Sequence, residues 1–457
     1  MNGLTGEGVK GVFSFRIPFI AGLVGFLLFG LAGLVQAVDI TDRLVDLGNK
    51  PAKSGKRGVS LNVWDLQAFD DKIYIGMGST SADSGPHPVW AFEHAAGRWD
   101  EAPETIVGQE AIELYRVLDG RLYLPAADPK GSATEASKFY RRGLDGKWTH
   151  FFSTREFHMA HIRDLALEDD LLIGVGNSRR PHDLTRAKTS AVAVPLIVVD
   201  ILQDSDREML EFQSAISLVP PAEGGSVDAD TSQRNRMANW FFSIFRLHDG
   251  LYASTRWLSW APDEPEPVGF YAERRLYPPQ VPPFPTVVRW DSDLKELVAP
   301  APGTLDRLVP GSPERNIQLT LWPYKPVLFG ELWFAPFRSR SLSRTDSREA
   351  YNQSADFVVK PADGPGVRVV LPEADALGEA ALVHDGRLYV LANVRRSEGE
   401  YQVFVYALNR DDARGERMDP ETGLAVDAWE EVFTFESSNL ARSFARIDDT
   451  WYFGLGV

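Results

Sequence analysis

One short pattern recurs along this chain: a turn built mainly from Asp and Gly, between runs of aliphatic and aromatic residues. The turns fall near positions 71, 120, 170, 250, 330, 386 and 449. An Asp-Gly turn between apolar runs is the strongest short-range signal for a β-hairpin. Because the hairpins recur at spacings of tens of residues, the sequence predicts a repeat architecture and not one irregular domain.

A second, weaker hairpin follows most of the first ones. It shows in residues 89–93 with 97–101, and again in 139–142 with 146–151. Each unit then has about four strands, which is the content of a propeller blade. We therefore expect an all-β fold, a seven-bladed β-propeller, with six blades as the alternative. Residues 39–47 are expected to supply the strand that completes the last blade and closes the ring, which removes exposed strand edges.

The units are not all the same length. Insertions are expected near residues 178–234, 261–285 and 338–355, where the spacing between turns grows. The chain contains no Cys, which excludes both disulfides and zinc sites built from thiolates. Stability must then come from apolar burial and from closure of the sheets.

The N-terminus has the pattern of an export signal. Lys10 and Arg16 precede an apolar stretch over residues 17–35, and small residues follow up to Ala37. This pattern predicts a signal peptide over residues 1–37 and a single propeller domain over 38–457, in a periplasmic or secreted protein. The alternative is an uncleaved membrane anchor, because the apolar stretch is long enough to span a bilayer. After cleavage no stable membrane span is expected.

The formal net charge is −16. An acidic chain argues against nucleic acid as a partner, since such partners require a basic surface. A polyanionic ligand would need a local basic pocket. No glycine-rich phosphate loop is present, and no cofactor is predicted.

Residues that begin the inner strands of a propeller are expected to meet at one mouth of the central channel, where binding sites tend to form. The candidate catalytic residues there are His158, His161, Arg163 and Glu110. A His base beside an Arg could remove a proton next to a uronate carboxylate, while the Arg stabilises the developing charge. We place Arg163 on the same strand face as His161. The alternative is that both His residues only satisfy hydrogen bonds at a strand start.

The candidate ligand-binding residues share the same predicted position and carry amide, carboxylate, guanidinium or indole groups. They are Trp64, Asn239, Trp240, Glu379 and Arg442. Indole rings stack on the apolar faces of sugars, with Trp64 and Trp240 as the expected platforms. Glu110 could also pair with Glu379 or Asp164 across the channel in acid–base work on a glycosidic bond. No metal site is predicted, because the spacing of His158 and His161 is not the zinc pattern.

The repeat units resemble those of secreted bacterial β-propellers over nearly the whole of residues 38–457. Some seven-bladed propellers are polysaccharide lyases that use His, Tyr and Arg, so the resemblance implies a uronate lyase as one activity, without assigning roles to residues. We expect an exported propeller that binds a uronate-containing polysaccharide. If the protein is an enzyme, it is expected to cleave that polysaccharide as a lyase or a glycoside hydrolase. The alternative is a non-catalytic scaffold that binds another envelope protein.

Overall fold

The computed structural model describes twenty stretches of the chain, and every structural statement below concerns them. They are residues 12–16, 38–48, 63–78, 85–125, 138–152, 159–178, 196–204, 207–214, 241–255, 257–258, 287–293, 296–298, 319–341, 354–362, 366–369, 371–373, 375–408, 418–419, 423–424 and 426–456. Within these stretches the secondary structure is β-strand with short 3-10 turns and no α-helix. None of their helical segments is long and apolar enough to cross a membrane.

The first described strands precede the blades. They are β1 (Val12–Arg16), β2 (Val38–Asp39) and β3 (Val45–Gly48), with a 3-10 turn at Thr41–Arg43. Blade one contains β4 to β8: Val63–Phe69, Lys72–Met77, His87–Glu93, Arg98–Trp99 and Thr105–Val107. Blade two contains β9 to β12: Arg116–Leu118, Arg121–Pro125, Lys138–Arg142 and Trp148–Phe152.

Blades three and four follow the same order. Blade three contains β13 to β16: Met159–Glu168, Leu171–Ser178, Leu196–Asp204 and Arg207–Ser214. Blade four contains β17 (Phe241–Leu247), β18 (Gly250–Thr255), β20 (Val287–Asp291) and β21 (Glu296–Val298), while β19 (Trp257–Leu258) pairs with the next blade.

Blades five and six come next in the chain. Blade five contains β22 to β26: Leu319–Pro323, Val327–Phe329, Leu332–Ser341, Ser354–Pro361 and Val367–Arg368. Blade six contains β27 (Leu377–His384), β28 (Arg387–Ser397), β29 (Glu400–Leu408) and β32 (Trp429–Ser437), and β2 pairs in parallel with β32. A small ribbon, β30 (Met418–Asp419) with β31 (Gly423–Leu424), and a 3-10 turn at Val426–Ala428 lie between its last two strands.

A further sheet combines strands from both ends of the described chain. Its order is β3, β1, β34 (Thr450–Gly456) and β33 (Leu440–Ile447). The chain is therefore an all-β propeller, as predicted, with six blades made of consecutive strands. The predicted seven-bladed propeller is corrected to six blades, since six sheets are built from strands that follow one another in the chain, while the last hairpin lies in a sheet completed by N-terminal strands. The six-bladed alternative matches the number of consecutive blades.

All seven predicted hairpins are present with two-residue loops. Asp residues occupy left-handed backbone conformations in five of these loops, for example Asp70 at φ +52° and Asp71 at φ +56°. Two-residue hairpin loops need positive φ, which Asp, Asn and Gly adopt most readily. This is why the Asp-Gly pattern located the hairpins correctly.

Contacts between successive sheets show that the blades form a closed ring. Each sheet meets the next through the following pairs: Asp65 with the Tyr115 amide, Arg116 with Asp164, Asp164 with the Ile244 amide, Phe245 with Trp333, Phe334 with Trp429, and Asn393 with Ala441. The closing sheet returns to blade one, where the Tyr452 hydroxyl lies 2.7 Å from Nδ1 of His94. Apolar side chains fill the layers between the sheets, such as Tyr74, Tyr115 and Leu124 between blades one and two.

The strand that completes the closing sheet differs from the expected one. Residues 39–47 were expected to pair next to the last hairpin, but β1 takes that place, with Phe15 opposite Trp451 and Arg16 opposite Thr450. Strand β3 adds to the outer side of β1. The segment from residue 12 to 16 falls inside the predicted signal peptide, whose cleavage stays a prediction.

Removal of residues 1–37 is expected to destabilise the fold. Val12 and Phe15 are buried, in layers against blade one and blade six respectively. Since burying such a side chain contributes about 1.5–3 kcal/mol, the free energy of unfolding should fall by about 3–6 kcal/mol. Urea denaturation of the full chain and of residues 38–457 measures the difference. A chain that starts at Val12 is the control and should keep the full stability; equal midpoints for all three would contradict the role of β1.

Candidate functional site

Seven residues occupy one equivalent position in the repeat, six residues before the first residue of each hairpin loop. We call them the axial ring: Trp64, Glu113, Arg163, Phe242, Tyr324, Glu379 and Arg442. The Tyr324 hydroxyl of blade five reaches the backbone of Trp64 in blade one and of Glu113 in blade two. Contacts between such distant parts of the ring place these residues at the central axis.

A β-bulge forms this position in most of the repeats. In five strands the residue of the axial ring is the extra residue that has no partner in the ladder: Trp64 in β4, Arg163 in β13, Phe242 in β17, Glu379 in β27 and Arg442 in β33. A bulge re-aims a side chain and is common beside functional sites. In each of these five strands, the bulge therefore changes the direction of the side chain at the axial-ring position.

Two pairs of neighbours in the axial ring combine a guanidinium with an aromatic ring. The guanidinium carbon of Arg442 lies 5.1 Å from the centre of the Trp64 ring, and that of Arg163 lies 5.5 Å from the centre of the Phe242 ring. These distances suit cation–π attraction. Each pair joins the bulges of two successive sheets. Because Arg442 covers one face of Trp64, a sugar can stack only on the opposite face.

A carboxylate completes one of these pairs. Nη1 of Arg163 lies 3.3 Å from Oε2 of Glu113. The buried Nε of Arg163 has no hydrogen-bond acceptor among the described residues. The guanidinium group therefore keeps donor capacity that the described residues do not use. Glu379 and Arg442 are each only 1% exposed, so they lie deeper in the fold than Arg163.

The residues that follow the bulges hold the axial ring in place. Asp164 is buried and accepts two hydrogen bonds of 2.8 Å from Arg116, one from the Leu165 amide and one from the Ile244 amide. Burial alone would lower the pKa of Arg116, but attraction to Asp164 outweighs it and raises that pKa. Through these four bonds, Asp164 connects blades two, three and four, and the acid–base role expected of it across the channel stays a prediction.

Asp65 plays the same part behind Trp64. It accepts a hydrogen bond of 2.7 Å from the Tyr115 amide in blade two, and its two oxygens lie 2.7 and 2.8 Å from Nζ of Lys325 in blade five. The carboxylate is buried and its negative charge is neutralised by an ammonium from across the axis. This contact was not predicted from the sequence.

The structure brings together four of the predicted site residues, namely Trp64, Arg163, Glu379 and Arg442. Glu110 is half-buried and lies next to Ala111, which pairs with Gly78, the residue whose carbonyl accepts a 2.7 Å bond from Nε1 of Trp64. Glu110 is thus close to the axial ring without belonging to it.

Of the remaining predicted residues, the structure describes only the backbone of one. The backbone of His161 pairs with Asn177 in β13, and nothing is described of its side chain. His158, Asn239 and Trp240 lie outside the described residues. The prediction that Arg163 and His161 share a face relied on strict alternation, which the bulge at Arg163 interrupts, and the shared face stays a prediction.

The sequence contained a signal for the residues that were missed. Counting six positions back from every loop finds Phe242 and Tyr324 as readily as Trp64. Among the described residues, no three His, Cys, Asp or Glu side chains gather as a metal site requires.

Comparisons with known proteins show distant likenesses in structure. No protein-family model matches the chain, and no curated protein matches it. An ancestral GH74 enzyme aligns with 86% of this chain at 10% identity and a TM-score of 0.42, and the chain spans about half of that enzyme, 48%. A GH43 β-xylosidase/α-arabinofuranosidase from a compost microbial metagenome aligns with 72% of this chain and 90% of its own at 11% identity and a TM-score of 0.29.

The Dos1 propeller is a third structure of this kind. It aligns with 77% of this chain and 81% of its own, at 11% identity and a TM-score of 0.30. At such identities and scores, these likenesses carry no information about the activity of this chain.

Proposed function

We propose that this protein is an exported β-propeller that binds a uronate-containing polysaccharide at the axial ring and cleaves it there by β-elimination. The observation that carries the proposal is the convergence of guanidinium, carboxylate and aromatic side chains from different blades on one axis. Such a set matches a sugar acid, which offers a carboxylate, hydroxyl groups and apolar ring faces. The periplasmic or secreted location is part of the proposal and follows from the N-terminal sequence.

Arg163 is the proposed carboxylate-binding residue. Its guanidinium is held by Glu113 on one side and by the ring of Phe242 on a face, and its side chain is 14% exposed. A guanidinium binds a carboxylate through paired, charge-assisted hydrogen bonds, which are stronger than hydrogen bonds between neutral groups. Trp64 can stack on a sugar through only one ring face, because Arg442 covers the other.

The proposed cleavage step uses residues next to Arg163. His161, with His158 as the second candidate, takes the proton from the carbon beside the uronate carboxylate. The electrons of that C–H bond form a C=C bond, the bond to the glycosidic oxygen breaks, and that oxygen takes a proton from Glu110 in its acid form. Arg163 stabilises the negative charge that develops on the carboxylate. The contacts of Arg163 with Glu113 and Phe242 support its part in this step.

Replacement of Arg163 by Gln tests the binding site. We expect affinity for oligogalacturonate, measured by calorimetry, to fall by about 10- to 100-fold, since a charge-assisted hydrogen bond contributes about 1.5–3 kcal/mol. Arg98→Gln, at an exposed Arg in blade one, is the matched control and should bind as the unchanged protein does. Equal affinity for both variants would remove Arg163 from the site.

Cleavage has its own test on the full chain. Products of β-elimination contain a C=C bond that absorbs ultraviolet light, so a rise in absorbance with a uronic-acid polymer is expected. His161→Ala should abolish that rise while leaving affinity for the oligosaccharide nearly unchanged. Binding without any absorbance change would reduce the proposal to a non-catalytic polysaccharide receptor.

A further inference from the structure

Blade five differs from the other blades at the axis. Its first strand is interrupted between β22 and β23, and Lys325 adopts a left-handed backbone conformation with φ +46°. The Tyr324 amide still bonds to the carbonyl of Pro336 on β24, at 2.9 Å. A non-Gly residue at positive φ outside a tight hairpin loop is uncommon and marks a place where other contacts hold the backbone.

Tyr324 and Lys325, which we call the axial latch, cross the channel. The Tyr324 hydroxyl lies 2.8 Å from the carbonyl oxygen of Glu113 and 3.2 Å from that of Trp64. Nζ of Lys325 bonds to both oxygens of Asp65 and lies 3.0 Å from Oε1 of Gln67. All four partners belong to blades one and two, so the latch joins opposite sides of the ring.

The latch lies at one level of the channel. Trp64 belongs to the axial ring, while Asp65 and Gln67 lie further along β4 toward its hairpin loop. The Tyr324 side chain is buried and the Lys325 side chain is 18% exposed. The latch therefore obstructs the channel at the axial ring and on its hairpin-loop side.

Opening the latch is unfavourable. It would leave the carboxylate of Asp65, which is buried, without its cation, and it would break the cross-axis hydrogen bonds of Tyr324. A buried charge that loses its partner is strongly destabilising. The obstruction should then persist when a ligand binds.

We propose that the axial latch makes the site a blind pocket, which takes the terminal unit of an acidic oligosaccharide and not an internal segment of a polymer. This inference rests on the proposed function. A polymer cannot thread through an obstructed channel, and a chain that passes across the mouth contacts only residues at the rim. A chain end can descend to Arg163, whose guanidinium then meets the carboxylate of the terminal unit.

The test compares ligands of one composition and different lengths on the full chain. Long polygalacturonate and oligomers made from it with tenfold more chain ends are titrated by calorimetry at equal mass. If ends are recognised, the apparent dissociation constant per unit of mass should be about tenfold lower for the oligomers, while the constant per chain end stays the same. Equal affinity per uronate unit at both lengths would overturn the blind pocket alone. No binding at either length would overturn the proposed function and this inference with it.

A variant adds a second measurement. Lys325→Ala removes the ammonium that bridges to Asp65 and should reduce the tenfold preference for chain ends, whereas Lys147→Ala, at an exposed residue of blade two, should keep it. A Lys325 variant that folds, as judged by circular dichroism, and keeps the full preference would show that the latch does not decide it. If that variant fails to fold, the comparison of ligand lengths on the unchanged chain still decides the proposal.

Discussion

Asp164→Ala is expected to lower the free energy of unfolding by about 3–5 kcal/mol, the largest effect of any single replacement considered for this protein. The carboxylate connects blade three with its neighbours on both sides, through Arg116 in blade two and the amide of Ile244 in blade four. Its removal leaves a buried guanidinium without a counter-charge and two buried amides, those of Leu165 and Ile244, without this acceptor. Urea denaturation followed by tryptophan fluorescence measures the loss.

The control is an ion pair of the same chemical type on the surface. Glu101 and Arg98 approach within 3.9 Å, with the Glu101 side chain 89% exposed. Exposed pairs contribute only about 0–1 kcal/mol, so Glu101→Ala should leave the unfolding midpoint nearly unchanged. A similar small effect from Asp164→Ala would mean that the carboxylate does not connect the blades.

Glu104→Gln is expected to lower the free energy of unfolding by about 2–3 kcal/mol at neutral pH, because it replaces a carboxylate acceptor by a neutral amide whose NH2 group cannot accept hydrogen bonds. Glu104 lies between blades one and two and accepts hydrogen bonds from Lys72 at 3.2 Å, Tyr74 at 3.0 Å, Arg142 at 3.1 Å and Trp148 at 2.9 Å. Gln keeps the volume of the side chain but carries no charge for the two cations. Urea denaturation of both proteins across a range of pH measures the effect.

The loss should depend on pH in a defined direction. Burial alone would raise the pKa of Glu104, but the hydrogen bond from Trp148 and the charge of Arg142, with bonds from Tyr74 and Lys72, outweigh burial and lower that pKa below its ordinary value of 4.5. A carboxyl group with a lowered pKa in the folded state stabilises the fold above the ordinary value, and this stabilisation is lost as the pH falls through the lowered one. The difference between the two proteins should therefore shrink as the pH is lowered below 4.5.

The pKa of Asp100 shifts in the opposite direction, so the contribution of Asp100 to the pH dependence must be separated from that of Glu104. Burial raises the pKa of its carboxyl group, against the attraction of Lys72. Because the variant keeps Asp100, the difference between the proteins reports mainly on Glu104. A difference that stays constant from neutral to acidic pH would contradict the assignment.

The positions of the site residues depend on the hairpin loops, which the sequence locates, and on the bulges, which it does not. The hairpin loops could be located from sequence because Asp and Gly tolerate positive φ, and four axial residues were found by counting back from those loops. Phe242 and Tyr324 were missed because the candidates were chosen by polar or indole chemistry, without a fixed count. Strict alternation could not establish the direction of Arg163, because a bulge adds a residue there that alternation does not include.

The closing sheet illustrates a different limit. The segment at residues 39–47, with apolar residues at 40, 44, 45 and 47, was a reasonable candidate for the last strand, yet β1 occupies that place and β3 pairs outside it. Strand propensity depends strongly on the neighbours that a strand meets, and several short segments can satisfy the same edge. Local sequence cannot rank them.

For this protein, the sequence by itself located the seven hairpins and indicated the propeller class, because turn chemistry and apolar alternation act over a few neighbouring residues. Only the tertiary structure decided which side chains meet at the axis, as when Lys325 bonds to Asp65 across 260 residues of chain. Such contacts follow from ring closure, which brings distant segments together at distances that no local pattern encodes.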